Sequence, residues 1–210
     1  MLFDFAELPA QARYKLLAST VTPRPIAWVV TRSAAGAVNA APFSFFNVLA
    51  GDPPTVGISI GNRAPGQPKD TLANIQATGE FVVNLVSRDN AEAMNKTATE
   101  FPPGIDELAM AKLTRLPSVK VTPPRIGESP VAFECKLFQT VALGRANTLV
   151  LAHVVAMHVR DDAVLDAMKH YIDTPRLDLV GRMHGGGYTT TRDLFQIARI
   201  PFDRWDEEAG

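Results

Sequence analysis

Proline and glycine set the grain of this chain: sixteen prolines and fourteen glycines in 210 residues cut it into short pieces. What lies between the breaks reads mostly as strand. Thr22-Pro23-Arg24-Pro25 precedes Ile26-Ala27-Trp28-Val29-Val30-Thr31, a run with the unbroken apolar character of a buried strand. A turn at Gly36 follows, and a second extended stretch runs from Val38 toward Phe46, with Pro42 marking an edge, bulge or bend. Asp52-Pro53-Pro54 breaks the chain again before a third strand over 55–60. The short connections predict a meander.

The polar loop 62–68 leads into Lys69-Asp70-Thr71-Leu72-Ala73-Asn74-Ile75, read as a short helix with Asp70 as its N-cap and its end before Gly79. Residues 80–86 form a strand, and Asp89 with Glu92 fits a capping box opening a helix to about Thr97. A short helix from Ile105 interrupts the loop 101–116. In 129–142, Val131, Phe133, Cys135 and Leu137 alternate with Glu134 and Lys136, the pattern of a half-buried strand. Residues 148–159 are apolar on both faces, 166–172 read as helix, and 182–190, with Gly185-Gly186-Gly187, as loop. Roughly six strands with antiparallel-style connections and no strand–helix alternation predict a mainly β fold with inserted helices, an antiparallel barrel.

Composition narrows the function. With 46% apolar and 20% charged residues the chain suits one globular domain or at most two small ones, with no need of a metal or disulfide staple. A net charge of −1 offers no general attraction to nucleic acid or an anionic membrane, so a bound anion needs a local site. The single cysteine, Cys135, excludes an internal disulfide framework and points to a reducing compartment. The N-terminus carries no signal-peptide pattern, and the longest apolar runs are too short to span a bilayer. The expectation is a cytoplasmic protein.

Common catalytic patterns are missing. There is no Gly-x-Ser-x-Gly elbow and no phosphate-loop motif; Cys135 sits inside a strand, where a structural role is favoured. His153 and His158, five apart in a strand, point to opposite faces and cannot share an ion. Lys69, Asp70 and Thr71 stand where a loop enters a helix, with Arg63 just before them. That layout is either an anion site built on helix N–H groups or ordinary capping with solvated charges. Phe43-Ser44-Phe45-Phe46-Asn47 interleaves aromatic rings with polar groups, which suits either a planar heteroaromatic ligand or a core strand.

Taken together and in order, these segments resemble a known family. Thr22-Pro23-Arg24-Pro25-Ile26-Ala27, Asn39-Ala40-Ala41-Pro42-Phe43-Ser44-Phe45-Phe46-Asn47 and Asp52-Pro53-Pro54 look like blocks of the flavin reductase-like FMN-binding family. So do Lys69 to Ile75, Thr78-Gly79-Glu80-Phe81-Val82-Val83-Asn84, Met94-Asn95, Glu100-Phe101-Pro102-Pro103-Gly104 and Ser129 to Cys135. The resemblance covers about residues 15–190 and is nearest to the flavoredoxin-like branch. It implies a single FMN-binding domain over 1–210, folded as a split β-barrel of antiparallel Greek-key type. It also implies a homodimer with each flavin near the subunit interface.

The implied activity is that of an NAD(P)H:flavin oxidoreductase, with FMN as cofactor and NADH or NADPH as co-substrate. The alternative is a non-enzymatic FMN electron carrier serving a partner redox protein or monooxygenase. By resemblance, Lys69, Asp70 and Thr71, with Arg63 beside them, hold the phosphate, and Ser44, Phe45, Phe46 and Asn47 contact the ring. Thr31 is carried over to the phosphate or ribityl chain, and Arg24 is a conceivable cationic neighbour. Many relatives carry an acidic-His pair where this chain reads Arg145-Ala146-Asn147-Thr148; His184, in the Gly-rich loop, is the speculative substitute. No catalytic side chain is required, because a flavin supplies the redox chemistry.

Overall fold

The computed structural model describes residues 1–202 apart from Pro65 and Pro103. Those two prolines belong to the expected loop 62–68 and to the Glu100–Gly104 block, and they lie outside the described residues, as do residues 203–210. The chain opens with α1 (Ala10–Thr20), then β1 (Arg24–Pro25), β2 (Ala27–Arg32), β3 (Val38–Phe43), β4 (Phe46–Gly51), β5 (Pro54–Ala64) and β6 (Gln67–Pro68). Next come α2 (Asp70–Thr78), β7 (Glu80–Leu85), α3 (Ala91–Lys96), α4 (Glu107–Met110), β8 (Arg115–Leu116) and β9 (Arg125–Ile126). The long hairpin β10 (Val131–Leu143) and β11 (Asn147–Val159) follows. The described chain ends through β12 (Val164–Asp166), β13 (Tyr171–Ile172), α5 (Thr174–Leu177), β14 (Val180–Arg182) and β15 (Tyr188–Thr190).

The main sheet is antiparallel throughout, in the order β3-β2-β7-β10-β11-β5-β4, with β6 paired to β5. The predicted meander is therefore wrong in its pairing. Strands β2 and β3 form a hairpin, but β5 lies at the far end of the sheet against β11, and β4 is its edge partner. Pro42 sits in β3, the opposite edge, where a missing N–H leaves no gap in a ladder.

The apolar run Ile26 to Val30 is continuous because β2 is covered on both faces. Alternate residues enter two cores: Trp28, Val30, Val82 and Leu108 pack on one side, and Val29, Ile58, Phe81 and Val83 fill the concave side of the curled sheet. Cys135 lies in the concave core, and burial pushes its thiol up to about 12, so it stays a protonated apolar filler.

Several local expectations change. Lys69, not Asp70, is the N-cap of α2, with no side-chain capping bond, while Gly79 ends the helix at φ 72°, the left-handed conformation glycine adopts freely. No capping box forms at Asp89 and Glu92: α3 starts at Ala91 after Asn90, whose amide oxygen instead accepts from the Ser87 N–H at 2.8 Å. Residues 166–172 are not helical. The Asp166 carboxylate accepts from the N–H groups of Met168 and Lys169 (3.0 and 3.1 Å), a local turn that outcompetes helix and folds β12 back on β13. The stretch 182–190 is a hairpin tip between β14 and β15 rather than loop throughout.

Glu134 departs furthest from expectation. It is fully buried, and it accepts from the backbone N–H groups of Val119 (2.8 Å), Lys120 (2.5 Å) and Val121 (3.2 Å), with His158 Nε2 at 2.6 Å. Burial alone pushes its pKa up; the backbone donors and His158 outweigh that and hold it below the ordinary glutamate value.

Candidate functional site

Where β3 meets the start of β4, the chain borders a groove with two lobes. The smaller lobe, about 180 Å³, lies at the N-terminus of α2 and is lined by Arg63, Lys69, Asp70 and Thr71, with Glu107 opposite. The larger, about 480 Å³, is walled by α1, the Pro42–Ser44 segment, the end of α3 and the β14–β15 tip. Pro42, Phe43 and Ala98 border both lobes, so they are neighbours across one ridge. The buried Trp28 helps fix that ridge: its indole N–H donates to the Thr97 hydroxyl at 2.9 Å, and Thr97 in turn bonds the Met94 carbonyl at 2.7 Å.

The smaller lobe has the donors of an anion cradle. The first N–H groups of a helix lack intrahelical acceptors, and α2 has no capping side chain to take them. Lys69 has no carboxylate partner among the described residues, and the Thr71 hydroxyl makes no hydrogen bond to them. Arg63 donates to Asp70 at 2.8 Å, which holds the guanidinium at the rim. Glu107 accepts from the Ala40 N–H at 3.0 Å, and burial, with the Asp70 charge adding, pushes its pKa up.

The residues expected at the site divide. Arg63, Lys69, Asp70 and Thr71 stand together in the smaller lobe; Ser44 and His184 line the larger. His184 is exposed, with Nδ1 2.9 Å from the Ser19 hydroxyl of α1. Phe45 is surface-exposed against Tyr14, ring centroids 6.1 Å apart, and Phe46 packs half-buried on the concave core. Asn47 is exposed, its side-chain oxygen taking the Val48 N–H at 2.9 Å. Thr31 is buried beneath α2, where its hydroxyl accepts from Asn74 at 3.0 Å; it borders neither lobe. Residues 145–148 span the β10–β11 hairpin tip, where the Ala146 carbonyl receives the Asn62 N–H at 2.8 Å.

Some lining residues carried no sequence signal. Tyr14 and Lys15 reach the groove from α1, and Arg182 and Tyr188 from the β14–β15 hairpin. Arg24 is a buried keystone: its guanidinium donates to the carbonyls of Ala18 (2.5 Å), Val21 (2.9 Å) and Met183 (3.3 Å) and to the Ser44 hydroxyl (3.4 Å). One side chain thus ties α1, the hairpin tip and the Ser44 segment together.

Residues 19–175 match the flavin reductase like domain. The chain belongs to that family. Its open, curled antiparallel sheet is the family's split barrel. An uncharacterized protein from Deinococcus radiodurans is 47% identical over 211 residues, covering 98% of this chain and 92% of the relative. Among solved structures, nitrilotriacetate monooxygenase component B from Bacillus cereus superimposes with a TM-score of 0.89 at 31% identity, over 94% of this chain and 98% of that one. The 2-nitrobenzoate 2-nitroreductase NbaA of Pseudomonas fluorescens gives 0.88 at 31% identity, over 96% and 98%.

Proposed function

We propose that this flavin reductase-like protein binds FMN and works as an NAD(P)H-dependent flavin oxidoreductase. The observation that carries the reading is the smaller lobe: uncapped helix N–H groups, Lys69 and the Thr71 hydroxyl without partners among the described residues, and Arg63, all at the mouth of one cleft. This donor set fits a phosphate, whose charge a helix N-terminus and a lysine attract. The adjoining ridge of Pro42 and Phe43 gives a flat apolar bed leading to Ser44, and that fits a planar ring.

When bound, FMN supplies the hydride and electron chemistry. The chain's part is to bind and to orient. Lys69, Thr71 and the first turn of α2 hold the phosphate, with Arg63 closing the rim. The Ser44 hydroxyl, fixed by Arg24, and the backbone N–H groups nearby offer donors to the polar edge of the ring, where negative charge builds on reduction. Phe43 and Ala98 keep water from one side of the bed.

We assign the active form as a homodimer. Leu49 of β4 and Phe138 and Val141 of β10 are exposed, and exposed apolar side chains of this kind suit an interface. The electrons would pass to free flavin, a small acceptor or a partner monooxygenase in the cytoplasm. The likeness to a monooxygenase component B supports such a partner.

Titration of FMN into purified protein, followed by quenching of flavin fluorescence, tests the binding step. Saturable quenching at one flavin per chain is expected; fluorescence that never departs from free FMN refutes the reading.

A further inference from the structure

The last stretch of the described chain has the wrong composition for a solvated tail. Of the ten residues 193–202, six are apolar (Leu194, Phe195, Ile197, Ala198, Ile200 and Phe202), and only Asp193 and Arg199 are charged. Segments that stay in water are normally poor in apolar residues and rich in charge. Yet Phe195, Ile197 and Phe202 are 84%, 83% and 95% exposed, and 193–202 makes no hydrogen bond to the rest of the described chain. The root of this arm, by contrast, is pinned. The Thr191 N–H donates to the Leu179 carbonyl at 3.0 Å, and Arg192 donates from Nε and Nη2 to the two carboxylate oxygens of Asp178, at 2.7 and 2.6 Å.

The body carries an unfilled surface of matching character. A groove of about 210 Å³, which shares only Ile26 with the larger lobe, is lined by Pro23, Pro25, Leu85, Leu179 and, at the root of the arm, Thr191. No charged residue lines it, and no residue of the arm does. To fill its own groove the arm would have to double back at its pinned root, and Asp193 is the only turn former between Arg192 and Ile200. Extended, ten residues reach about 33 Å, enough to cross to a neighbouring molecule. We infer that residues 193–202 form an exchange arm, which lays Leu194 and Phe195 into the apolar groove of a second copy of this chain. In a two-fold dimer the exchange is reciprocal, so both arms and both grooves are covered and the assembly closes. The inference rests on the homodimer reading and not on the flavin reading, and it adds a contact to the one at Leu49, Phe138 and Val141.

Sedimentation over a dilution series, with the native chain and with a full-length variant carrying Leu194→Asp and Phe195→Asp, tests the arm. Burying one large apolar side chain is worth about tenfold or more in affinity, so the variant should dissociate at about tenfold higher concentration or more. Its circular dichroism should match the native chain, because the arm bonds nothing in the body. Disulfide capture then tests the seat. Thr189→Cys, in the groove, and Phe195→Cys, on the arm, are placed in one chain, where the buried Cys135 takes no part. Oxidation should give a covalent dimer on a non-reducing gel, and only when both new cysteines are present. A bridge within one chain, seen as unchanged size with loss of both introduced thiols, would mean that the arm fills its own groove and overturns the exchange. Introduced thiols that stay free, or a covalent dimer from Phe195→Cys alone, overturn the seat. A variant that dissociates like the native chain overturns the arm and leaves the homodimer reading standing, whereas a native chain that is monomeric throughout removes both.

Discussion

Replacing Glu134 by glutamine keeps the shape and removes the charge, and the structure sets the cost. One carboxylate oxygen accepts from the Val119 N–H and His158, the other from the N–H groups of Lys120 and Val121. The glutamine NH₂ group does least harm facing Val119 and His158, because the imidazole can change tautomer and accept from it. Even then the Val119 N–H is orphaned in a buried site, at about 1–3 kcal/mol. The bonds from Lys120 and Val121 also fall from charge-assisted to neutral strength, about 1 kcal/mol each. The expected loss is about 3–5 kcal/mol, a large share of the roughly 5–15 kcal/mol typical of a folded domain. Urea unfolding followed by circular dichroism at pH 7 measures it.

The pH dependence checks the cause. The folded pKa of Glu134 is lowered, so its stabilisation is complete above the ordinary glutamate pKa and disappears as pH falls through the folded value. Between those two values the native protein should lose up to about 1.4 kcal/mol per pH unit more than the glutamine variant. A loss at pH 7 under about 1 kcal/mol, or parallel pH profiles, would refute the reasoning.

Further outcomes follow from other parts of the structure. Lys69→Ala should weaken FMN binding by about 1–3 kcal/mol, read in the fluorescence titration; unchanged affinity removes Lys69 from the cradle. Gly181→Ala should destabilise by about 1–3 kcal/mol in urea, because its new Cβ would lie 2.6 Å from Pro23 Cβ, where β14 pairs with β1. Phe138→Asp, at an exposed apolar position of β10, should give a monomer by analytical ultracentrifugation where the native chain is a dimer; an unchanged sedimentation profile removes Phe138 from the interface.

Much of the frame is legible because the pattern and the burial agree. The run from Ile26 to Val30 reads as strand since both of its faces are covered, and β7 is found the same way. The Lys69-Asp70-Thr71 corner shows itself because loop, helix start and charge coincide in a few residues. Local chemistry misleads where a side chain has a tertiary task. Glu134 looks solvent-facing by alternation, yet its face of β10 is covered by the 119–121 segment, whose N–H groups need an acceptor. Asp166 looks like part of a helix and instead caps a turn. Helix α1 escapes notice because only Ala18 on it is buried, so no apolar stripe marks it. The larger lobe is foreseen only through Ser44, Arg24 and His184. Lys15, Arg24 and Arg182 come from distant parts of the chain, and only the pairing of β1 with β14 and the bonds of Arg24 bring them together.

The central claim is that this chain holds FMN and passes reducing equivalents from a nicotinamide nucleotide through it. An absorbance spectrum of FMN-loaded protein, taken before and after anaerobic addition of NADH or NADPH, tests it most directly. The account predicts a protein-bound flavin band near about 450 nm that bleaches with one of the two nucleotides. A bound band that neither nucleotide bleaches would contradict the reductase and leave an electron carrier. No bound flavin after incubation with FMN would contradict the claim outright.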